Sequence, residues 1–133
     1  MALIGDYHTH TVYSRHKHGK STIEENVEAG VRKGLRQIAI TDHGFNQTLF
    51  GVKREQIGLA RAEIDEIKDR YPIEILLGVE ANILSANGDI DIVEDDYKNL
   101  DIVLCGFHKL VKAPRLRDKV NFISTPISLC ECE

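Results

Sequence analysis

The sequence predicts an α/β domain built on a parallel sheet, and three observations predict it. Apolar runs of strand length recur at LIGDY (Leu3 to Tyr7), QIAIT (Gln37 to Thr41), IEILLGVEA (Ile73 to Ala81) and DIVLCGF (Asp101 to Phe107). Between them lie stretches whose apolar residues fall at helical spacing. The resulting β-α-β-α order implies parallel strands with the helices outside them. At 133 residues and 42% apolar, the chain is long enough to bury the core of a single domain.

The first strand runs straight into His8-Thr9-His10, and a polar, basic loop follows. Ser21 stands three residues before Glu24, matching a capping box, and Ile23, Val27 and Val31 then recur every four residues until Gly34. QIAIT ends at Asp42-His43-Gly44. From Arg54 to Arg70, Ile57, Ala60, Ile64 and Ile67 form the apolar stripe of a second amphipathic helix, with Pro72 just beyond its end. Glu80 closes IEILLGVEA, and Asn87-Gly88, between ANILSA and DIDIV, reads as a small hairpin turn. A short polar helix is expected from Glu94 to Leu100, and DIVLCGF delivers His108. After Pro114 the pattern decays to one expected strand, VNFIS, so the chain divides into a domain over 1–114 and a divergent tail over 115–133.

Composition excludes several function classes. A 29% charged fraction with three prolines and no low-complexity tract argues against disorder. The net charge of -4, without a basic block, provides no footprint for general nucleic-acid binding. MALIGDYHTH lacks the basic and apolar regions of a signal peptide, and no apolar run spans a bilayer, so a cytoplasmic protein without membrane contact is expected. Three cysteines are an odd number and predict no disulfide framework. Cys105 reads as a small buried hydrophobe, and Cys130 and Cys132, near the terminus, are poor grounds for a metal site.

The histidines carry the first functional signal, since His8, His10, His16 and His18 fall within eleven residues. In a strand, residues i and i+2 share a side, so His8 and His10 present two imidazoles together. Such a pair is weak alone. Its weight comes from His43, Glu80 and His108, which also follow the C-terminal ends of expected strands, where ligand-binding residues of parallel sheets collect. Imidazoles with a carboxylate suit zinc, manganese or iron. Glu80 is the natural bridging ligand, because its two oxygens reach two cations and its charge offsets their repulsion. Asp6 and Asp42 either accept the far ring N–H of a ligand histidine or make ordinary strand-end turn contacts.

Taken in order, DYHTHT, HGKST, AITDHG, GVEAN and GFH resemble the polymerase and histidinol phosphatase (PHP) superfamily, and look closest to its small stand-alone phosphoesterase branch. The resemblance covers about residues 3–114, the first half of the usual domain. It implies a partial (β/α)7-like distorted TIM barrel, of which about the first four strands are present, with up to three divalent ions. By this resemblance His8 and His10 hold one ion and Glu80 bridges it to a second, to which His108 belongs. His43 joins a loop histidine on the third. His18, followed by GKST, stands as the family's histidine does relative to the helix, and His16, at the usual distance from the HxH pair, is the alternative.

The implied activity is metal-dependent hydrolysis of a small phosphorylated substrate, a histidinol-phosphatase-like phosphomonoesterase reaction. Its nucleophile is a metal-activated water, with no catalytic side chain beyond the ligands. Arg15, Lys17 and Lys20 are available for phosphate contacts. Relatives supply a further histidine and an Asp-x-His pair late in the chain, whereas no histidine follows His108 here and FISTP carries Thr125 where that histidine would stand. Fewer or weaker ions are therefore expected. The alternative reading is a truncated, catalytically impaired metal-binding remnant or assembly partner. The open edge of a partial barrel is explained either by a truncated or frame-shifted copy or by a homo-oligomer that covers it.

Overall fold

A computed structural model describes residues 4–15, 18–47, 49–85 and 87–108. In chain order these form strand β1 (Gly5–Thr9), helix α1 (Ile23–Arg32), β2 (Gln37–His43), α2 (Arg54–Ile67) with a 3-10 turn over Lys68–Arg70, β3 (Glu74–Asn82), a 3-10 helix over Glu94–Asn99, and β4 (Ile102–Gly106). The four strands are parallel, lie in the order β1-β2-β3-β4, and curl into a half-barrel with the helices between them. This is the α/β partial barrel expected from the sequence. The expected strand VNFIS, Cys130, Cys132 and Thr125 lie outside the described residues, as do Leu3, His16 and Lys17. None of the helices is long and apolar enough to cross a membrane among the described residues.

Strand alternation sorts the side chains into two faces. Ile38, Ile40, Ile75, Leu77, Val79 and Val103 face outward onto Ile23 and Val27 of α1 and Ile57, Ala60, Ile64 and Ile67 of α2, which together form the main core. The inner face carries a small apolar group of Ala39, Ile102 and Leu104 with Tyr7 and Leu76. Continuing along that face by steps of two leads from Ala39 to Thr41 and His43, from Leu76 to Gly78, Glu80 and Asn82, and from Leu104 to Gly106 and His108. The polar ends of the strands therefore share one side because the apolar ends do.

Register brings these ends together. Pairing of β2 with β3 continues to His43 opposite Glu80, so both residues lie inside strands rather than just past them. The register of β1 against β2 shifts between Asp6 and Thr9. The buried Thr41 hydroxyl fits this irregularity, accepting from Thr9 N at 3.1 Å and reaching Tyr7 O at 3.2 Å. Thr9 turns away from the histidines, and its hydroxyl donates to Ala39 O at 2.6 Å.

The caps differ from expectation by one residue. Thr22, not Ser21, caps α1: its Oγ1 accepts from Glu25 N at 3.1 Å, while Glu25 Oε2 accepts from Thr22 N at 2.8 Å. Ser21 uses its carbonyl instead to accept from Val12 N at 2.9 Å, closing the histidine loop. Glu24, freed from capping, accepts from Tyr71 Oη at 2.7 Å and pairs with Arg70 at 2.9 Å. After α1, Gly34 takes a left-handed φ of 71°, as the chain-reversing residue of a helix end does. The Asn87-Gly88 turn is present, with Gly88 at φ 91° and an antiparallel bridge between Ile83 and Ile90. Cys105 is half-buried against the main core.

Gly78 sits where the inner face has no room, since an added Cβ would lie 2.4 Å from Ile102 O and 2.6 Å from Ile102 Cγ2. The obstacle is partly backbone, so it cannot swing aside. Gly78→Ala is expected to cost about 1–3 kcal/mol, the usual penalty of overpacking, by prying β4 from β3. Urea denaturation checks it, and a midpoint equal to the parent's would contradict the close approach.

Candidate metal centre

Glu80 is the hub of the site. It is buried, at 8% exposure, on the inner face near the end of β3. Its Oε2 lies 2.8 Å from His43 Nδ1, 3.4 Å from His8 Nε2 and 3.7 Å from His10 Nε2, and its Oε1 lies 3.1 Å from His108 Nε2. The rings also contact one another. His10 stacks on His43 with centroids 4.5 Å apart, His43 meets His108 edge-on at 4.8 Å, and His18 lies 5.1 Å from His10 and 4.6 Å from His43.

Thus the structure brings His8, His10, His18, His43, Glu80 and His108 into one cluster. Their donor atoms form three groups, each within 4.8 Å: His10/His18/His43, His8/His10/Glu80 and His43/Glu80/His108. His16, the alternative loop residue, lies outside the described residues.

The electrostatics keep these donors ready. Burial would push the Glu80 carboxyl up, but the histidines around it, His43 first and then His108 and His8, outweigh that and hold it down at about 2. His10 moves the other way: burial and the neighbouring His43 outweigh the attraction of Glu80 and Asp42 and lower it to about 4. At neutral pH the centre therefore presents a carboxylate and, at His10, an unprotonated imidazole. Several buried atoms have no hydrogen-bond partner among the described residues, namely His10 Nδ1, both ring nitrogens of His43, and Glu80 Oε2. The 2.8 Å approach of His43 to Glu80 therefore lacks hydrogen-bond geometry. Buried polar groups left without partners cost stability, and a cation between them would satisfy them. The residues present fit divalent metal.

Of the two readings left open for Asp42 and Asp6, the described residues show the strand-end contact. The Asp42 carboxylate accepts from Thr11 N at 2.7 Å, Thr11 Oγ1 at 2.6 Å and Ser14 Oγ at 2.5 Å. It pins the histidine loop to the end of β2, because that loop turns back over the strand and brings its donors within reach. Asp6 Oδ1 accepts from the backbone N of His8 at 3.2 Å, a strand-end contact. Of the described basic residues of that loop, Arg15 donates from Nε to Gly51 O at 2.7 Å and Lys20 is exposed.

The residue that does orient a histidine is Asn82, two positions beyond Glu80 on the same face. His108 Nδ1 lies 2.9 Å from Asn82 Oδ1, while Asn82 Nδ2 donates to Asp91. The amide orientation this requires makes Oδ1 the acceptor, so His108 Nδ1 carries the hydrogen and Nε2 turns its lone pair toward Glu80. Asp91 also accepts from Asn82 N at 2.7 Å and Asn46 N at 2.8 Å. Gly106 leaves the space: a Cβ there would fall 2.9 Å from Glu80 Oε1 and 3.0 Å from His108 Cε1. Phe50 lies against His18, with ring centroids 4.6 Å apart, and 5.9 Å from His43.

The chain is 42% identical to a probable phosphatase of Caldanaerobacter subterraneus subsp. tengcongensis, over 81% of the chain and 40% of that protein. It is 33% identical to a probable phosphatase of Acetivibrio thermocellus over 95% of the chain and 52% of that protein, and 38% identical to one of Shewanella pealeana over 86% and 43%. The chain thus spans about half, or somewhat less, of the length of these curated relatives. The PHP domain matches residues 6–123, and with strand-end histidines clustered about one buried glutamate, the chain belongs to the PHP domain family.

Proposed function

We propose that the chain carries the metal-binding part of a phosphoesterase that hydrolyses small phosphomonoesters, with histidinol phosphate as one substrate class. The observation that carries this reading is the cluster of buried, unpartnered donors on His10, His43 and Glu80. Its support is family membership and three relatives, each named a probable phosphatase. His8, His10, His18, His43, Glu80 and His108 would hold zinc, manganese or iron. Such ions, when bound, would activate water near neutral pH and offset the charge of phosphoryl oxygens.

The chain's own residues prepare that chemistry. Glu80 supplies the compensating negative charge, and its burial beneath the histidines restricts water at the hub. Exposed His8 and His18 leave the cluster open to solvent on the side from which a substrate would enter. Asn82 fixes the ring of His108, so Asn82→Ala is expected to weaken metal affinity about 10–100-fold, the usual effect of losing a hydrogen bond that orients a ligand histidine. Metal titration followed by calorimetry measures it, and unchanged affinity would remove Asn82 from this role.

The direct test combines elemental analysis of the purified chain with turnover of a generic phosphomonoester in added manganese or zinc. Bound metal and turnover lost together in His8→Ala support the proposal. Turnover that survives both His8→Ala and Glu80→Ala would place the chemistry elsewhere. Metal without turnover would favour the metal-binding remnant, and neither metal nor turnover would refute the site.

A further inference from the structure

Resting on the metal-binding reading above, we infer that Asp91 is a positioning residue, acting through Asn82 to fix which ring nitrogen of His108 carries the hydrogen. Asp91 lies outside all five motifs that carry the family resemblance. Three contacts hold its backbone in place: Asp91 N donates to Asn82 O at 3.2 Å, Arg54 Nη2 donates to Asp91 O at 3.4 Å, and the preceding Ile90 bridges Ile83. Its carboxylate is buried against Gly44, the residue after His43, where an added Cβ would fall 2.8 Å from Oδ2. Asp91 thus joins the chain leaving β2 to the end of β3.

Both carboxylate oxygens accept hydrogen bonds. Oδ1 takes Asn82 N at 2.7 Å, and Oδ2 takes Asn46 N at 2.8 Å together with Asn82 Nδ2. The two backbone donors cannot turn, whereas the Asn82 side-chain amide can. A carboxylate has no hydrogen to offer, so it holds Nδ2 of Asn82 toward itself and leaves Oδ1 to His108 Nδ1. The choice matters at the hub, because a neutral imidazole has one lone pair. With the hydrogen on Nδ1, the Nε2 lone pair is left for a cation beside Glu80 Oε1, 3.1 Å away. With the hydrogen on Nε2, the ring donates to Oε1 and has nothing there for a cation.

Asp91→Asn reverses this order. The new amide group has two places to go. In the place of Oδ1 it would orphan Asn82 N, which is buried, and in the place of Oδ2 it would displace Asn46 N, on an exposed residue that water can reach. The second is the cheaper, and there the Asn82 amide flips to accept from it. Asn82 then turns Nδ2 toward His108, whose Nδ1 must accept, and the hydrogen moves to Nε2.

The test reads the ring of His108 in the whole chain, stripped of metal and held in mildly alkaline solution so that the imidazole is neutral. Long-range proton–nitrogen NMR distinguishes the two tautomers, and the signals missing from His108→Ala assign the ring. The parent should carry the hydrogen on Nδ1 and Asp91→Asn should carry it on Nε2. The double variant Asp91→Asn with Asn82→Asp should return it to Nδ1, because a carboxylate at position 82 accepts from both the new amide and the ring. That rescue restores the tautomer without restoring the bond to Asn46 N, so a merely structural role would not produce it. Circular dichroism confirms that each variant is folded. Calorimetric titration with zinc should show affinity about 10–100-fold weaker in Asp91→Asn, the usual cost of losing the partner that orients a ligand histidine. Hydrogen on Nε2 in the parent, hydrogen on Nδ1 in Asp91→Asn, or parental zinc affinity in Asp91→Asn would overturn the inference. A parent that shows the expected tautomers yet binds no zinc would overturn the metal-binding reading instead, with Asp91 still setting the ring.

Discussion

Glu80→Gln is expected to release the bound metal and to lower phosphomonoester turnover by more than the roughly 100-fold typical of losing a residue that merely orients a ligand. Glutamine preserves the volume of the side chain and its place between His43, His8 and His108. It removes the charge that four neighbouring imidazoles share, and replaces one oxygen with an amide that donates hydrogen and cannot bind a cation. Two of the three donor groups contain Glu80, so only the all-histidine group remains whole. Because Glu80 is buried and its Oε2 has no hydrogen-bond partner, the amide gains little in return. Elemental analysis and turnover on a variant shown to be folded decide the matter. A parental metal count in Glu80→Gln would show that the carboxylate is not a ligand.

The parts of this centre that were legible in the sequence are those written in strand periodicity. Glu80 stands out as a lone acid late in an apolar run, and His43 and His108 follow runs of the same kind. Parallel pairing then aligns those ends without further information, as the pairing of His43 with Glu80 shows. What periodicity does not encode is how a loop folds back. Periodicity left open whether the Asp42 carboxylate would meet a ligand histidine or a strand-end turn, and Thr11 and Ser14 reach it because their loop turns across the end of β2. Asn82 carried a weak signal, as a polar residue on the Glu80 face of the strand. Asp91 and Phe50 carried none, since their contacts arise from turns between elements. The cap of α1 slipped from Ser21 to Thr22 for a similar reason: both can cap, and Ser21 is held by Val12 across the loop.

Asp42→Ala should be strongly destabilising, at about 3–5 kcal/mol, because of the buried donors it leaves without an acceptor. Asp42 is buried, as are Thr11 and Ser14, so water does not replace what alanine removes. A buried donor left without an acceptor costs about 1–3 kcal/mol, and Asp42 serves Thr11 N, Thr11 Oγ1 and Ser14 Oγ. The total falls below a simple sum because the two hydroxyls can rotate toward other acceptors, whereas the Thr11 amide cannot. Asp42→Asn should be distinctly milder. Its oxygen can still accept from Thr11 N and Ser14 Oγ, although its amide must face Thr11 Oγ1, which already accepts from Tyr13 N at 3.1 Å. Urea denaturation of the metal-free variants gives the ordering, since it removes any contribution of bound metal to the folded state. If alanine and asparagine cost the same, the loop is held by something other than the Asp42 carboxylate. If both cost less than about 1 kcal/mol, below the penalty of a single orphaned donor, then this carboxylate does not hold the loop that carries His18 against His10 and His43.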